Sequence, residues 1–242
     1  MNDSSTLSAE WTLFGMGSPN VRKITIMLEE AGLDYDFRHV NVFRSEQAGP
    51  EFLGLNPNGK VPVLVHRRDG LAEPLVIFES LAILIYLAER AGILLPTEEP
   101  ARSTVLQWLM IQGCNVGPML GQLNHFTFAA PEGHDYSRDR YRREARRLYR
   151  LVDRRLAHQR WLGGEDYSIA DVATYPWMLY LERHGFDAVD FPHLSSWRDE
   201  ISARPAVQQG LARIQTIEPR DAEAMRTAAP EHLDRFFGRI ED

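Results

Sequence analysis

The spacing of apolar residues changes character once along this chain, near residue 100, and that change limits the fold classes open to it. Ahead of it, strand and helix signals alternate. Trp11 to Phe14 is a short apolar run of the kind a buried strand needs. The turn cluster Gly15-Met16-Gly17-Ser18-Pro19-Asn20 follows, then a stretch with Ile24, Leu28 and Ala31 at helical spacing, stopped by Gly32. Phe37, His39 and Asn41 alternate with Arg38, Val40 and Val42, which predicts a second strand. Pro50 to Leu55 predicts a short helix closed by Asn56-Pro57-Asn58-Gly59. Val61–Val65 and Leu75–Phe78 predict two further strands, with Asp69-Gly70 between them as a hairpin signal. Ser80 to Ala91 is a strongly apolar helix ended by Gly92. The order βαβαββα predicts an α/β layer on a four-stranded mixed sheet.

Past the linker Gly92 to Pro100 every sizeable segment has helical spacing: Arg102 to Asn115, Tyr136 to Gln159, Ser168 to His184, Leu194 to Arg204 and Ala206 to Gln215. This predicts an all-helical second domain. The expected organisation is a disordered polar tail over residues 1–10, an α/β domain over 11–92, a helical domain over 101–218 and a C-terminal extension over 219–242. The extension is polar and charged, with an amphipathic turn around Leu233 to Ile240; folding over a site and hanging free are both open to it.

Composition narrows the function. A net charge of -7 argues against a broad nucleic-acid footprint. No apolar run approaches the roughly 18 residues of a membrane span. The first ten residues carry acid and no basic cluster, unlike a secretory signal. Cys114 is the one cysteine, so no intrachain disulfide forms, which points to a reducing compartment, the cytoplasm. It stands on an otherwise core-like stretch and reads as a small buried hydrophobe. No CxxC, HExxH or spaced His/Cys cluster suggests a metal site.

Three short segments carry chemistry. Ser18-Pro19 at a helix start is capping chemistry. The plain reading is an N-cap; the sharper one is a cap whose hydroxyl also donates outward to an anion held at the helix N-terminus, where free N–H groups and the dipole add to it. A bound thiolate suits that position, and Asn20 offers an amide N–H to the same end. In Asn58-Gly59-Lys60-Val61-Pro62, a cis Val61–Pro62 bond would turn the Val61 amide and carbonyl outward to pair with an extended ligand, while Lys60 by itself reads as a solvated charge. Ser80 reads as the N-cap of an apolar helix, or with Glu79 as a pocket for the carboxylate and ammonium of an amino acid. Taken together, the three would receive a thiol, a peptide backbone and an amino-acid head group, the parts of glutathione.

The segments SPNVRKITIMLEE, PEFLGLNPNGKVPVLV, EPLVIFESLAILIYLAE, GPMLGQLNHF and WLGGEDYSIADVATYPW resemble the glutathione transferases, the Nu class in particular, over about residues 11 to 215. The resemblance implies a thioredoxin-like N-terminal domain, an all-helical C-terminal domain, a homodimer, and glutathione as co-substrate with no metal. It implies disulfide reduction without a catalytic cysteine or tyrosine, using two glutathione molecules or one glutathione disulfide per site. By match, Ser18 and Asn20 are catalytic, where the family's Thr-Pro-Asn becomes Ser18-Pro19-Asn20. Gln47 and Lys60 hold the glycyl end, Val61 ahead of Pro62 supplies the backbone pair, and Glu79 and Ser80 hold the γ-glutamyl end. Arg140 reads either as a contact to a second glutathione or as one of many solvated arginines. The Ser168-Ile169-Ala170-Asp171 box looks catalytic but reads as a capping box. Two rival functions keep the fold: ether or thioether cleavage of aromatic substrates, with Met119 to Phe128 lining a pocket or the core, and a non-enzymatic binding module. The partners expected are thus glutathione and a small disulfide or aromatic electrophile, with no nucleic acid and no membrane.

Overall fold

The computed structural model describes residues 9–68, 70 and 72–240; most of the expected tail, positions 1–8, and Asp69 of the hairpin signal lie outside the described residues. In chain order the elements are β1 (Trp11–Gly15), α1 (Pro19–Glu30), β2 (Asp36–His39), α2 (Pro50–Leu55), β3 (Val63–His66), β4 (Leu75–Phe78), α3 (Ser80–Ala91), α4 (Ala101–Ile111), α5 (Gly117–Phe128), α6 (Asp135–Leu156), α7 (Ile169–Met178), α8 (Pro192–Ser202), α9 (Pro205–Gln215), α10 (Glu218–Thr227) and α11 (Pro230–Phe236). They form two compact units, one made of the chain through Ile83 together with everything from Gln209 onward, the other of Leu84–Gln208.

The first unit is thioredoxin-like. Its sheet runs β2-β1-β3-β4, with β1 parallel to β2 and antiparallel to β3, and β3 antiparallel to β4. Register places Leu13 opposite Phe37 and Leu64, so the centre of the sheet is apolar. Glu10 belongs to this structure: its carbonyl accepts from the Arg67 amide at 2.8 Å. β2 ends at His39, short of the expected Val42, because β1 ends at Gly15 and offers no further partner; Val42–Arg44 winds into a 3-10 turn instead. β3 begins at Val63, two residues late, because Pro62 has no N–H to donate; the Val61–Pro62 bond is cis. Helix α1 is buried from Val21 to Leu28 except at Arg22. At Gly210 of α9 a Cβ would stand 2.7 Å from the Ile26 nitrogen, so only glycine lets the two helices approach this closely.

The segment after Pro219 is helical and packed. Ala224 of α10 lies in a core cluster with Met16, Val40, Val42, Phe43, Phe52 and Val63, and Val61 and Leu233 pack against it. Phe43 and Phe236 meet edge to face with ring centroids 4.9 Å apart.

The second unit is helical. Between α4 and α5, Gln112–Val116 winds as a π-helix, so the helical stretch expected to stop at Asn115 runs on. The wider turn alters which side chains face in: Gln112 and Val116 are buried, whereas Cys114 is exposed rather than buried as expected. Among the described residues no helix is long and apolar enough to cross a membrane.

Ser168 and Asp171 form a reciprocal capping box at the start of α7. The buried Asp171 carboxylate accepts from the Leu162 amide at 2.9 Å, the Trp197 indole at 3.0 Å, and the Ser168 amide and hydroxyl at 3.1 and 2.9 Å. Burial pushes its pKa up to about 6 against the pull of those donors. Asp171→Ala strands four buried donors at once. We expect a loss of about 3 kcal/mol or more in unfolding free energy, measured by urea denaturation; a change under about 1 kcal/mol would remove Asp171 from this structural role.

Candidate functional site

The loop from β1 into α1 sets one end of the site. Ser18 is extended at φ −134 and ψ 155, and its hydroxyl accepts from the Val21 amide at 3.3 Å, the N-cap geometry expected from Ser-Pro. The oxygen takes that bond through a lone pair, so its own proton stays available to donate. Pro19 and Asn20 occupy the first helical positions, and α1 carries no acid in its first turn to offset the positive end of the dipole. Behind Ser18, the Gly17 amide donates to Asp221 Oδ2 at 2.7 Å, and Asp221 Oδ1 meets His39 Nε2 at 2.7 Å. Arg22 pairs with Glu218.

The loop Asn56–Pro62 sets the middle. Asn56 holds it from inside: its amide donates to the Lys60 carbonyl at 2.6 Å, and its side-chain oxygen accepts from the Asn58 amide at 2.9 Å. Gly59 sits at φ 60, which favours glycine, and a Cβ there would stand 3.3 Å from the Gln47 carbonyl. The Gln47 and Lys60 loops therefore abut. Gln47 Oε1 is a buried acceptor without a hydrogen-bond partner among the described residues. Among the same residues, the Val61 amide and carbonyl enter no backbone–backbone hydrogen bond, as a residue that pairs with a ligand requires.

Glu79 and Ser80 set the far end. Helix α3 begins at Ser80, so Glu79 rather than Ser80 stands in the capping position, at φ 68. A left-handed glutamate is strained backbone, and the strain turns its exposed side chain to where the Asn58 amide donates to Oε1 at 3.2 Å. Ser80 is buried, and its hydroxyl oxygen accepts from the Lys23 ammonium at 3.2 Å. While Lys23 is protonated it has no lone pair, and in that state the contact leaves the serine proton free to donate elsewhere. Lys23 is 2% exposed. Burial pulls its pKa from 10.5 down to about 7, and the charge of Glu79 opposes that pull.

Ser18, Asn20, Gln47, Lys60, Val61, Pro62, Glu79 and Ser80 thus all lie in the first unit, linked through Gln47–Gly59, Asn58–Glu79 and Lys23–Ser80. Arg140 belongs to α6 of the second unit, where it is exposed one turn from Glu144. Lys23 and Asp221 were not read from the sequence. Lys23 left one signal, a lysine immediately before Ile24 on a helix whose other residues are mostly apolar. Asp221 left none. Among the described residues no group of three or more His, Cys, Asp or Glu is placed to hold a metal ion.

The Lys23 shift has a consequence for stability. Between about pH 7 and 10.5 the unfolded chain binds a proton at Lys23 that the folded chain does not, so stability rises with pH across that window and the contribution is lost as pH falls toward 7. The slope is at most about 1.4 kcal/mol per pH unit. Comparing urea midpoints of the unsubstituted protein and Lys23→Met at several pH values tests this: any advantage of the Met variant should be largest and constant below about pH 7 and should shrink as pH rises toward 10.5.

With this geometry in hand, the relatives can be set beside it. Residues 17–90 match the family model "Glutathione S-transferase, N-terminal domain", and residues 116–205 match "Glutathione S-transferase, C-terminal domain". The chain is 44% identical over 209 residues, 86% of its own length and 97% of the other's, to the disulfide-bond oxidoreductase YfcG of Escherichia coli K12. A glutathione transferase family member from Pseudomonas fluorescens, crystallised with two glutathione bound, superposes with a TM-score of 0.79 at 39% identity, covering 86% of this chain and 95% of that one. A glutathione transferase from Pseudomonas putida, with one glutathione disulfide bound per subunit, gives 0.78 at 38% identity, covering 86% and 93%. Two family models spanning most of the chain, and a relative at this identity over nearly its whole length, place the chain in the glutathione S-transferase family.

Proposed function

We propose that the protein binds glutathione along the first unit and uses the bound thiolate to reduce small disulfides. The observation that carries this is the Ser18 cap, a hydroxyl held by the Val21 amide with its own proton still to give, at the start of a helix whose own first turn carries no acid. A free thiol titrates near 8.5, and each unit of lowering is about 1.4 kcal/mol. One or two hydrogen bonds to a charged acceptor, about 1.5–3 kcal/mol each, bring thiolate to dominance at neutral pH, and in this reading Ser18 and Asn20 supply them. In this reading Gln47 and Lys60 take the glycyl carboxylate, Val61 ahead of cis Pro62 pairs with the peptide backbone, and Glu79 and Ser80 hold the γ-glutamyl ammonium and carboxylate. The Ser80 proton is consistent with a carboxylate partner.

The chemistry then needs no cysteine from the protein. One glutathione thiolate attacks a disulfide, forming a mixed disulfide and releasing one thiolate. A second thiolate attacks the glutathione sulfur of the mixed disulfide, releasing the other thiol and leaving glutathione disulfide. Two thiols are oxidised for each disulfide reduced. The name of the Escherichia coli relative and the two-glutathione and glutathione-disulfide contents of the Pseudomonas structures support this reading. We infer a cytoplasmic homodimer as the working form.

A coupled assay of glutathione-dependent reduction of bis(hydroxyethyl) disulfide tests the proposal. Ser18→Ala combined with Asn20→Ala should lower kcat about a hundredfold, as loss of charge-stabilising donors does elsewhere. An unchanged rate removes both residues from the role. Glu79→Ala should weaken glutathione binding, measured by calorimetry, about tenfold or more with the denaturation midpoint little changed. Tight binding with no disulfide turnover would move the assignment to ether or thioether cleavage.

A further inference from the structure

Helices α10 and α11 meet the β1–α1 loop and the segment after β2 at five points. The Gly17 amide donates to Asp221 Oδ2, His39 Nε2 meets Asp221 Oδ1, and Arg22 pairs with Glu218. Ser45 Oγ lies 2.9 Å from His232 Nδ1, and Phe43 packs edge-on to Phe236. Beneath them, Met16 of the loop and Ala224 of α10 share one core cluster.

The Gly17 amide directly precedes the cap residue, and a half-buried amide must find an acceptor. Its acceptor lies 204 positions away in sequence, not in the turn itself. That bond fixes the plane of the Met16–Gly17 peptide, whose Met16 carbonyl in turn accepts from the Ser18 amide at 2.8 Å, so it bears on where the Ser18 hydroxyl sits. The fit is close: a Cβ on Gly17 would stand 2.8 Å from Asp221 Oδ2 and 3.2 Å from Glu218 Cγ. The second carboxylate oxygen is taken by His39 at the end of β2, so Asp221 ties the thiolate loop to the sheet.

We propose that α10 is a built-in brace for the thiolate-binding turn and that Asp221 is its positioning residue, fixing where Ser18 presents its hydroxyl. This rests on the glutathione reading above. Asp221 acts through the hydrogen bond to Gly17 and not by touching substrate, so the place of its oxygen matters more than its charge. Displacing a catalytic group by about 1 Å costs up to about a hundredfold in rate.

Two full-length variants separate position from charge. In Asp221→Asn the side-chain oxygen can still accept from Gly17 while the amide takes the place of the oxygen that faces His39 Nε2. In Asp221→Glu the charge is kept but the oxygens move by one methylene. We expect Asp221→Asn to hold kcat for bis(hydroxyethyl) disulfide within about threefold and Asp221→Glu to lose about tenfold or more, with the glutathione Kd within about threefold for both. Arg226→Ala, on the exposed face of the same helix, should leave kcat unchanged. Equal loss in Asn and Glu variants, or a Glu variant as active as the parent, would overturn the positioning role. Failure of the unsubstituted protein to bind glutathione would instead overturn the reading on which it rests.

Discussion

Burial of α1 from both sides is the constraint on which the rest of this structure depends. The end of β1 meets the start of the helix, where a Cβ on Gly15 would stand 2.7 Å from Val21, and the backbone of α9 comes close enough on another side that Gly210 cannot carry a side chain. Val21, Ile24, Ile26, Met27 and Leu28 are fully buried as a result. A surface helix frays at its first turn, but a helix held this way keeps its N-terminus fixed relative to the strands. That rigidity holds the Ser18 hydroxyl in one place relative to the strands.

The same burial carries a lysine inside. Lys23 has no route to water, and its ammonium is held by the Ser80 hydroxyl and moderated by the Glu79 charge. The cost of burying that group falls on the fold. Asp171, in the second unit, shows the opposite use of a buried charge: its oxygens are fully engaged by four donors, and it organises a helix start without any outward-facing group.

What could be read in the sequence follows from how local the physics is. Ser18-Pro19, the Asn56–Gly59 turn and the Ser168–Asp171 box are decided by backbone chemistry within four residues, and the structure has all three as local features. The order of strands and helices was legible for the same reason, since periodicity is a local property. The strand ends were not: β2 stops because β1 runs out of partners, a fact about another segment. Cys114 faces outward because one wide helical turn shifts the pattern, and nothing in QGCNV announces a π-helix. Lys23 meets Ser80 across 57 positions and Gly17 meets Asp221 across 204, distances over which one sequence carries no pairing signal. The resemblance to a family supplied roles for Gln47, Lys60 and Glu79 that spacing alone did not.

The first unit is not contiguous in the chain: it takes Gln209 onward from the far side of the helical unit. During synthesis, the ribosome delivers the sheet and α1 long before it delivers α9, α10 and α11. Until those last helices emerge, Ile26 lacks the backbone that packs over it and the Gly17 amide lacks its acceptor. The helical unit is complete in the meantime and can fold on its own schedule. The β1–α1 turn is therefore among the last parts of the molecule to be set, because the acceptor of its Gly17 amide is made last.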